Sequence, residues 1–327
     1  METLTIDQFQ FGTKIEGFFI IKSSLCKSTT NNSKYLDMIL GDQTGEVSAK
    51  LWECTEEDEN KYINNTLVKV RGIVTEWKGQ MQLKIEKIRL TTDEDGVDAA
   101  NFVQVAPYTP EYMYNQILSY VNKIDNQDIK TIVSCILKEH KQSLMIFPAA
   151  MKNHHAVRSG LLYHIMTMLM TAEKLGQIYT FIDMDLLYGG IILHDIAKIY
   201  EMDANELGIV SEYTTEGQLL GHIIQAIKIV DRVAKKVGAD EEMAMLLQHM
   251  ILSHHYEPEF GSPKKPMFPE AELLHYIDMI DSRMYDMKKA LENTPEGSFS
   301  DRIWSLENRK VYRANTINKA DEEKSLA

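Results

Sequence analysis

The chain has 327 residues, 44% of them hydrophobic, and a formal net charge of −13 at pH 7. This length and apolar content suffice for two domains with separate cores. So large an excess of acids argues against a protein that holds nucleic acid mainly by bulk electrostatics, because such binding needs a basic surface to displace counterions. Any contact with nucleic acid is therefore expected to be local.

Targeting segments and cysteine usage indicate the compartment in which the protein works. The N-terminus has no basic region followed by an apolar run, and no stretch approaches the roughly 18 apolar residues of a membrane span. Cys26, Cys54 and Cys135 are far apart and form no CxxC pair, which predicts reduced thiols in the protein core. We expect a cytoplasmic protein that has no membrane partner.

Residues 1–90 have the pattern of short strands separated by turns. Alternation of apolar and polar residues predicts strands at 14–22, 34–40, 46–52, 67–76 and 81–90, with a short helix at 56–61. Five strands with a helix after the third is the order of the OB-fold, a small all-β barrel that often binds single-stranded nucleic acid. We therefore assign residues 1–90 to an OB-fold nucleic-acid-binding domain.

One face of this predicted barrel is a candidate substrate-binding surface. Lys50 and Trp52 alternate with apolar residues in the third strand, and Tyr35 lies on the corresponding outward face of the strand before it. Aromatic rings can stack on bases, and a cation can contact phosphates. An alternative is that Trp52 packs against the neighbouring domain or the short helix, and the sequence leaves both interpretations open.

The rest of the chain has helical periodicity. A charged, poorly hydrophobic stretch at 91–98 predicts a solvated connector, and we place a linker at residues 91–110. Predicted helices follow at 160–175, 184–200, 215–237, 240–254 and 270–291, with one hairpin candidate at 209–213. Residues 111–300 are thus expected to form an all-α bundle, and residues 301–327 a C-terminal tail. The fold class is multidomain, with an all-β barrel followed by this bundle.

Histidines and acids recur in the helical region at spacings that suit a site for two metals. Eight of the ten histidines lie between His154 and His255, and His with Asp is ligand chemistry for Mn, Fe, Zn or Mg. Burying such groups unpaired on apolar helices would cost roughly 1–3 kcal/mol each. We place the pair His194-Asp195 at the end of a predicted helix, 186–199, with Lys198 one turn beyond His194 on the same face. This clustering predicts hydrolysis, whereas His140, His249 and His275 are expected to be core residues.

The order of these residues resembles that of the HD-domain metal-dependent phosphohydrolases, in their dinuclear branch. The residues that carry the resemblance are His164, His194-Asp195, Lys198 three residues after the Asp, His222, His254-His255 and Asp278. The stretches 153–164 and 215–222 and the turn at 40–45 narrow it to the YhaM-type 3′→5′ exoribonucleases of Gram-positive bacteria. The resemblance covers nearly the whole chain, as an OB-fold domain followed by an HD domain.

This resemblance implies a centre with two divalent cations. Mn²⁺ is the expected ion, and Fe²⁺, Co²⁺, Zn²⁺ and Mg²⁺ are alternatives. One cation would be held by His164, His194, Asp195 and Asp278. The other would be held by His222, His254 and His255, with Asp195 as the bridge. Asp195 and Lys198 would be the catalytic residues, and Lys198 would contact the phosphate. Asp281 would orient a ligand, although either Asp278 or Asp281 could be the terminal ligand; His154, His155 and Arg158 would contact substrate.

The activity implied is removal of nucleoside 5′-monophosphates from the 3′ end of single-stranded RNA by two-metal hydrolysis, with single-stranded DNA as a further candidate substrate. Two alternatives stay open: an HD hydrolase of small or cyclic nucleotides, and a DNA-binding replication-enhancer factor. We also expect a homo-oligomer, because an acidic nuclease can form a positive channel only by bringing its basic surfaces together. The basic residues of the tail that could contribute are Arg302, Arg309, Lys310 and Arg313.

Overall fold

The computed structural model describes residues 4–29, 32–77, 80–151, 154–292 and 294–315. Five strands close a barrel in the neighbour order β1-β2-β3-β5-β4. Their bounds are β1 Lys14–Ser28, β2 Lys34–Gly41, β3 Glu46–Trp52, β4 Leu67–Trp77 and β5 Gln80–Leu90, with helix α1 at Glu56–Lys61. The strand order and the helix after the third strand confirm the predicted OB-fold.

The barrel core is filled by the apolar half of each alternating strand. Val47 and Ala49 of β3 lie opposite Leu40 and Met38 of β2, and all four side chains are buried. Asp42 fixes the turn between these strands, because its carboxylate accepts hydrogen bonds from the backbone N–H groups that follow it in the turn. The turn at 40–45 is therefore stabilised by the side chain of Asp42.

The connector after the barrel is partly packed: residues 91–98, predicted to be solvated, are exposed or half-buried, whereas some residues further along are buried. Val103 is buried in a cluster with Ile20 and Leu67 of the barrel and Ile209 of the helical region. Asp95, in the first half, pairs with Arg89 of β5 at 2.6 Å. Apolar residues at the end of the connector thus hold the two domains against each other.

The region beyond residue 110 is mostly helical, as predicted. Its helices are α2 Pro110–Lys123, α3 Gln127–Leu144, α4 Gly160–Gly176, α5 Met184–Leu193, α6 Lys198–Glu201, α7 Thr215–Val237, α8 Glu241–Ser253 and α9 Pro269–Glu292. They share one hydrophobic core. Two small sheets depart from the all-α expectation: β6 Met202–Ala204 pairs with β7 Val210–Tyr213, and β8 Ser298–Phe299 pairs with β9 Tyr312–Arg313.

The predicted helix 186–199 is in fact interrupted. Helix α5 ends at Leu193, and a turn leads to the short helix α6, which begins at Lys198. In that turn the Lys198 N–H donates to the carbonyl of Asp195 at 3.0 Å, a bond three residues back instead of four. His194 and Lys198 therefore do not share a face of one continuous helix.

Part of the predicted tail is folded onto the helical region. Leu306 is fully buried, and the Arg313 guanidinium donates to the carbonyls of Leu291 and Thr294 at the end of α9. Arg302 and Arg309 also donate to nearby backbone carbonyls, so these arginines serve local structure. Residues 316–327 lie outside the described part of the chain.

The prediction that all three cysteines lie in the protein core is wrong for two of them. Cys54 is buried, but Cys26 and Cys135 are exposed, because they occupy polar-facing positions of β1 and α3. Among the described residues, no helix is both long and apolar enough to cross a membrane.

Candidate metal centre

Histidines and carboxylates from five parts of the helical region converge on one interior point. They are His164 of α4, His194 and Asp195 after α5, His222 of α7, His254 and His255 after α8, and Asp278 and Asp281 of α9. Several three-residue combinations of these side chains place one potential ligand atom each within 4.8 Å of the others. All the residues predicted to bind metal are thus brought together.

The first group of donors faces one oxygen of Asp195. His164 Nε2 lies 3.3 Å from His194 Nε2 and 3.4 Å from an oxygen of Asp278. The Oδ2 atom of Asp195 lies 3.3 Å from His194 Nε2 and 3.8 Å from His164 Nε2. These atoms surround a point that could hold a cation.

The second group faces the other oxygen of the same carboxylate. His222 Nε2 lies 3.3 Å from Asp195 Oδ1, and His254 Nε2 lies 3.8 Å from it. His255 completes a trio with these two histidines. Asp195 therefore lies between two groups of donors, with one oxygen toward each.

The imidazole rings are fixed by hydrogen bonds on their outer nitrogens. The Nδ1–H groups of His194, His254 and His255 donate to backbone carbonyls at 2.6 to 2.7 Å. In His164 and His222 the same nitrogen donates to a carboxylate instead, that of Asp281 at 2.8 Å and that of Glu201 at 3.0 Å. With Nδ1–H donated outward, a neutral ring presents Nε2 inward as an acceptor, which is the tautomer a metal requires. Before a metal binds, Asp278 and Asp281 favour the protonated form of His164.

Three inward atoms are buried without a hydrogen-bond partner. They are Asp195 Oδ1, His222 Nε2 and His254 Nε2. An unsatisfied buried polar atom costs roughly 1–3 kcal/mol, and three acceptors that face one another cannot satisfy each other. A divalent cation bound by these atoms would remove this cost, so the residues fit the metals that the sequence implies.

The carboxylates of the centre are held in their ionised form. Burial alone would raise the pKa of Asp195, but Lys198 and His194 hold it well below its usual value. Asp278 and Asp281 raise the pKa of His164 to about 10 although its burial opposes this. The electrostatic environment therefore favours positive charge at the centre.

Lys198 is part of the same arrangement. Its Nζ lies 2.7 Å from Asp195 Oδ2, and its side chain is only 12% exposed. The carboxylate of Asp195 raises the pKa of Lys198 against the effect of burial, so the ammonium stays charged beside the donor atoms. It is placed to contact an anion that binds at the centre.

In the loop before α4, two of the three residues expected to contact substrate have hydrogen-bond partners within the protein. His155 is buried, and its Nε2 donates at 2.7 Å to the same Asp281 oxygen that accepts from His164. Arg158 donates to the carbonyl of Glu206 at 2.6 Å and so is turned toward the β6–β7 connection. His155 therefore orients Asp281. Only His154, which is half-buried with its ring 5.9 Å from that of His164, borders the centre without such a bond.

The predicted barrel surface is also assembled. Tyr35 and Trp52 face each other across β2 and β3, with ring centroids 4.7 Å apart. Lys50 lies over the Tyr35 ring at 4.9 Å and pairs with Asp37 at 3.1 Å. Trp52 remains 43% exposed, which argues against its burial in the neighbouring domain.

Comparison with known proteins identifies both parts of the chain. The HD domain family model matches residues 161–283, and the model described as an OB-fold nucleic acid binding domain matches residues 22–91. The 3′-5′ exoribonuclease YhaM of Halalkalibacterium halodurans is 42% identical over 94% of this chain and 95% of its own length. YhaM of Bacillus subtilis is 39% identical over 93% of this chain and 96% of its own length. The chain belongs to the YhaM family.

One residue that fixes a histidine of this YhaM-family centre was not predicted from the sequence. Glu201 Oε1 accepts hydrogen bonds from both the Nδ1–H and the backbone N–H of His222, at 3.0 and 3.1 Å. The sequence did not indicate this contact. Glu201 lies three residues after Lys198, and the β6–β7 hairpin separates it from His222 along the chain. A half-buried glutamate that contacts the His222 helix can be recognised only once the hairpin is folded.

Proposed function

We propose that the protein is a metal-dependent 3′→5′ exoribonuclease that releases nucleoside 5′-monophosphates through two cations held around Asp195. The observation that carries this proposal is the position of the Asp195 carboxylate, with Oδ2 toward His164 and His194 and Oδ1 toward His222 and His254. Family membership supports the reaction and its polarity, since the relatives are named 3′-5′ exoribonucleases.

The donors divide into two sets. One cation would be held by His164, His194, Asp195 and Asp278, and the other by His222, His254, His255 and Asp195. When bound, such cations activate water and offset the negative charge of a phosphodiester during in-line displacement. Imidazole and carboxylate ligands suit first-row divalent metals, and we propose Mn²⁺ as the working ion.

Three side chains act on the substrate or on the ligands. Lys198 would neutralise a non-bridging phosphate oxygen, because its charged Nζ already lies beside the donor atoms. His154 would contact the adjacent phosphate in its neutral form, since burial lowers its pKa to about 3. Asp281 would orient His164 and stay outside the ligand set, because it bonds the outer nitrogen of that ring.

The barrel would guide the RNA strand. Tyr35 and Trp52 supply stacking surfaces, and Lys50 supplies a cation for the backbone. A single strand suits this surface better than a duplex, since paired bases cannot stack on it. We further propose that the enzyme works in the cytoplasm as a homo-oligomer and that it also accepts single-stranded DNA.

The test uses RNA labelled at its 5′ end, with Mn²⁺ added or withheld. The protein is expected to shorten the labelled RNA stepwise from its 3′ end only when Mn²⁺ is present. The Asp195→Ala substitution should abolish this shortening. Asp231→Ala, which removes an exposed carboxylate paired with Lys235, is the matched control and should keep full activity. Full activity of Asp195→Ala, or label released as a mononucleotide in the first turnovers, would refute the proposal.

A further inference from the structure

Two of the three cysteines meet a glutamate at one end of the barrel. Cys26 lies in β1, Cys54 follows β3, and Glu59 lies in α1. Two thiol sulfurs and one carboxylate oxygen from these residues lie within 4.8 Å of one another. The histidine centre uses none of these residues, and nothing in the proposed reaction requires them.

The cluster is already organised by polar contacts. The hydrogen bond from the Cys26 thiol to Glu59 raises the pKa of Cys26 to about 11. Lys34 holds the other side of the carboxylate, with its Nζ 2.9 Å from Glu59 Oε1. A carboxylate fixed in this way by a neighbouring ammonium keeps its orientation toward the two sulfurs.

The cluster is also accessible from outside. Cys26 and Glu59 line a cavity of about 530 Å³ between the barrel end and the β6–β7 hairpin, which contributes Ser211. Cys54 lies deeper and is buried. An ion can therefore enter through this cavity, and a water molecule can occupy it beside the cluster.

We propose that Cys26, Cys54 and Glu59 bind a Zn²⁺ ion at a site separate from the histidine centre. Thiolate ligands favour Zn²⁺ over harder ions such as Mn²⁺ and Mg²⁺, and three protein ligands with an open fourth position are a common zinc arrangement. The negative charges of two thiolates and one carboxylate are balanced by the ion together with the Lys34 ammonium. Bound zinc ties α1 to β1 and to the end of β3.

The decisive experiment is a Co²⁺ titration of the reduced full-length protein, followed by near-ultraviolet absorption. Thiolate ligands produce an intense charge-transfer band with Co²⁺, whereas imidazole and carboxylate ligands do not. The band should appear in the wild-type protein, in Cys135→Ser and in Asp195→Ala. It should lose at least about half of its intensity in Cys26→Ser and in Cys54→Ser, since each variant keeps one thiolate of the two. Glu59→Gln should weaken Co²⁺ binding at least about tenfold, as changes even beyond the direct ligands do.

A second measurement guards against misfolding of the serine variants. Alkylation of the wild-type protein at alkaline pH, read by mass spectrometry, should be slowed at Cys26 at least about tenfold by Zn²⁺. Cys135, which is also exposed, is the internal control and should react at the same rate with and without zinc. Absence of the cobalt band from the wild-type protein, its retention at full intensity in Cys54→Ser, or equal protection of Cys135 would overturn the proposal.

Discussion

Asp195 lies in the middle of the candidate metal centre. It is 2% exposed, and its two oxygens face different groups of histidines. A lone buried carboxylate would be costly to ionise, but Lys198 and the facing imidazoles compensate its charge. One side chain can therefore connect two donor groups that come from different helices.

Glu201 offers a test of ligand orientation at the residue scale. Replacing it with Ala removes the acceptor that fixes both the ring and the backbone of His222. We expect Mn²⁺ affinity and RNA hydrolysis to fall about 10–100-fold, the usual cost of losing a partner of a ligand histidine. Calorimetric Mn²⁺ titration measures the affinity. Glu212→Ala, at an exposed position of β7, should change neither quantity, and unaltered affinity in Glu201→Ala would contradict the assigned contact.

At this scale the sequence predicted the residues of the centre but not all their roles. His194 and Asp195 stood out because acids and histidines on apolar helices need partners. His155 bonds Asp281, a contact that the sequence did not predict, and its backbone adopts a positive φ of 53°. Which way a loop side chain points depends on such turns, and no spacing rule reveals them.

Among the elements, helix α7 is built around a break next to a ligand. Gly221 has φ 67° and ψ 166° inside the helix, a conformation essentially restricted to glycine. The break frees the backbone N–H of His222, which then donates to Glu201. The helix thus starts again at the residue that faces Asp195.

Gly221→Ala tests this device. The substitution should destabilise the protein by about 1–3 kcal/mol and should also reduce RNA hydrolysis, because relaxing the break moves His222. Gly238→Ala is the matched control: Gly238 also has a positive φ, 69°, but it caps the far end of α7 in open space. Thermal unfolding measures stability, and initial rates measure RNA hydrolysis. If Gly221→Ala, like Gly238→Ala, loses stability but keeps its rate of hydrolysis, the break does not position His222.

Element types were largely predictable, and their interruptions were not. Apolar periodicity predicted α4, α7 and α9 within about a residue of their observed bounds. The same periodicity carried the predicted helix past Leu193, because the apolar pattern continues while the hydrogen bonding changes. Turns within an apolar run lack the Gly or Pro signal that usually marks them.

On the scale of the whole molecule, the barrel and the helical domain are joined by an apolar contact. Ile20 and Leu67 of the barrel pack with Val103 and with Ile209, which precedes β7. Arg158, just before α4, bonds Glu206 in the same connection. The barrel therefore packs against the β6–β7 connection, and that connection is bonded to the loop before α4.

The division of work between the domains can be measured with Trp52→Ala. Loss of one stacking surface should cost roughly 1–3 kcal/mol of binding to a long single strand, while hydrolysis of a dinucleotide, which offers no strand for the barrel to guide, should not change. Fluorescence anisotropy and steady-state rates give the two quantities. Trp304→Ala, which removes a tryptophan 75% exposed near the C-terminus, should leave both unaltered, and equal losses on long and short substrates would contradict a guiding role.

The domain order was predictable from motifs, but the contacts between distant parts were not. The connector sequence is charged at its start, which suggested solvation, whereas Val103 at its end fills the contact between the domains. Cys26 and Cys54 meet because β1 and β3 both pair with β2. Such encounters depend on three-dimensional packing that composition and spacing do not encode.

If Asp195 joins two cation sites, bound metal ions must lie on both sides of its carboxylate. Anomalous diffraction from crystals grown with Mn²⁺ locates each ion without relying on activity. We expect two peaks on opposite sides of the Asp195 carboxylate, one beside His164 and one beside His222. A single peak, or peaks away from Asp195, would contradict it.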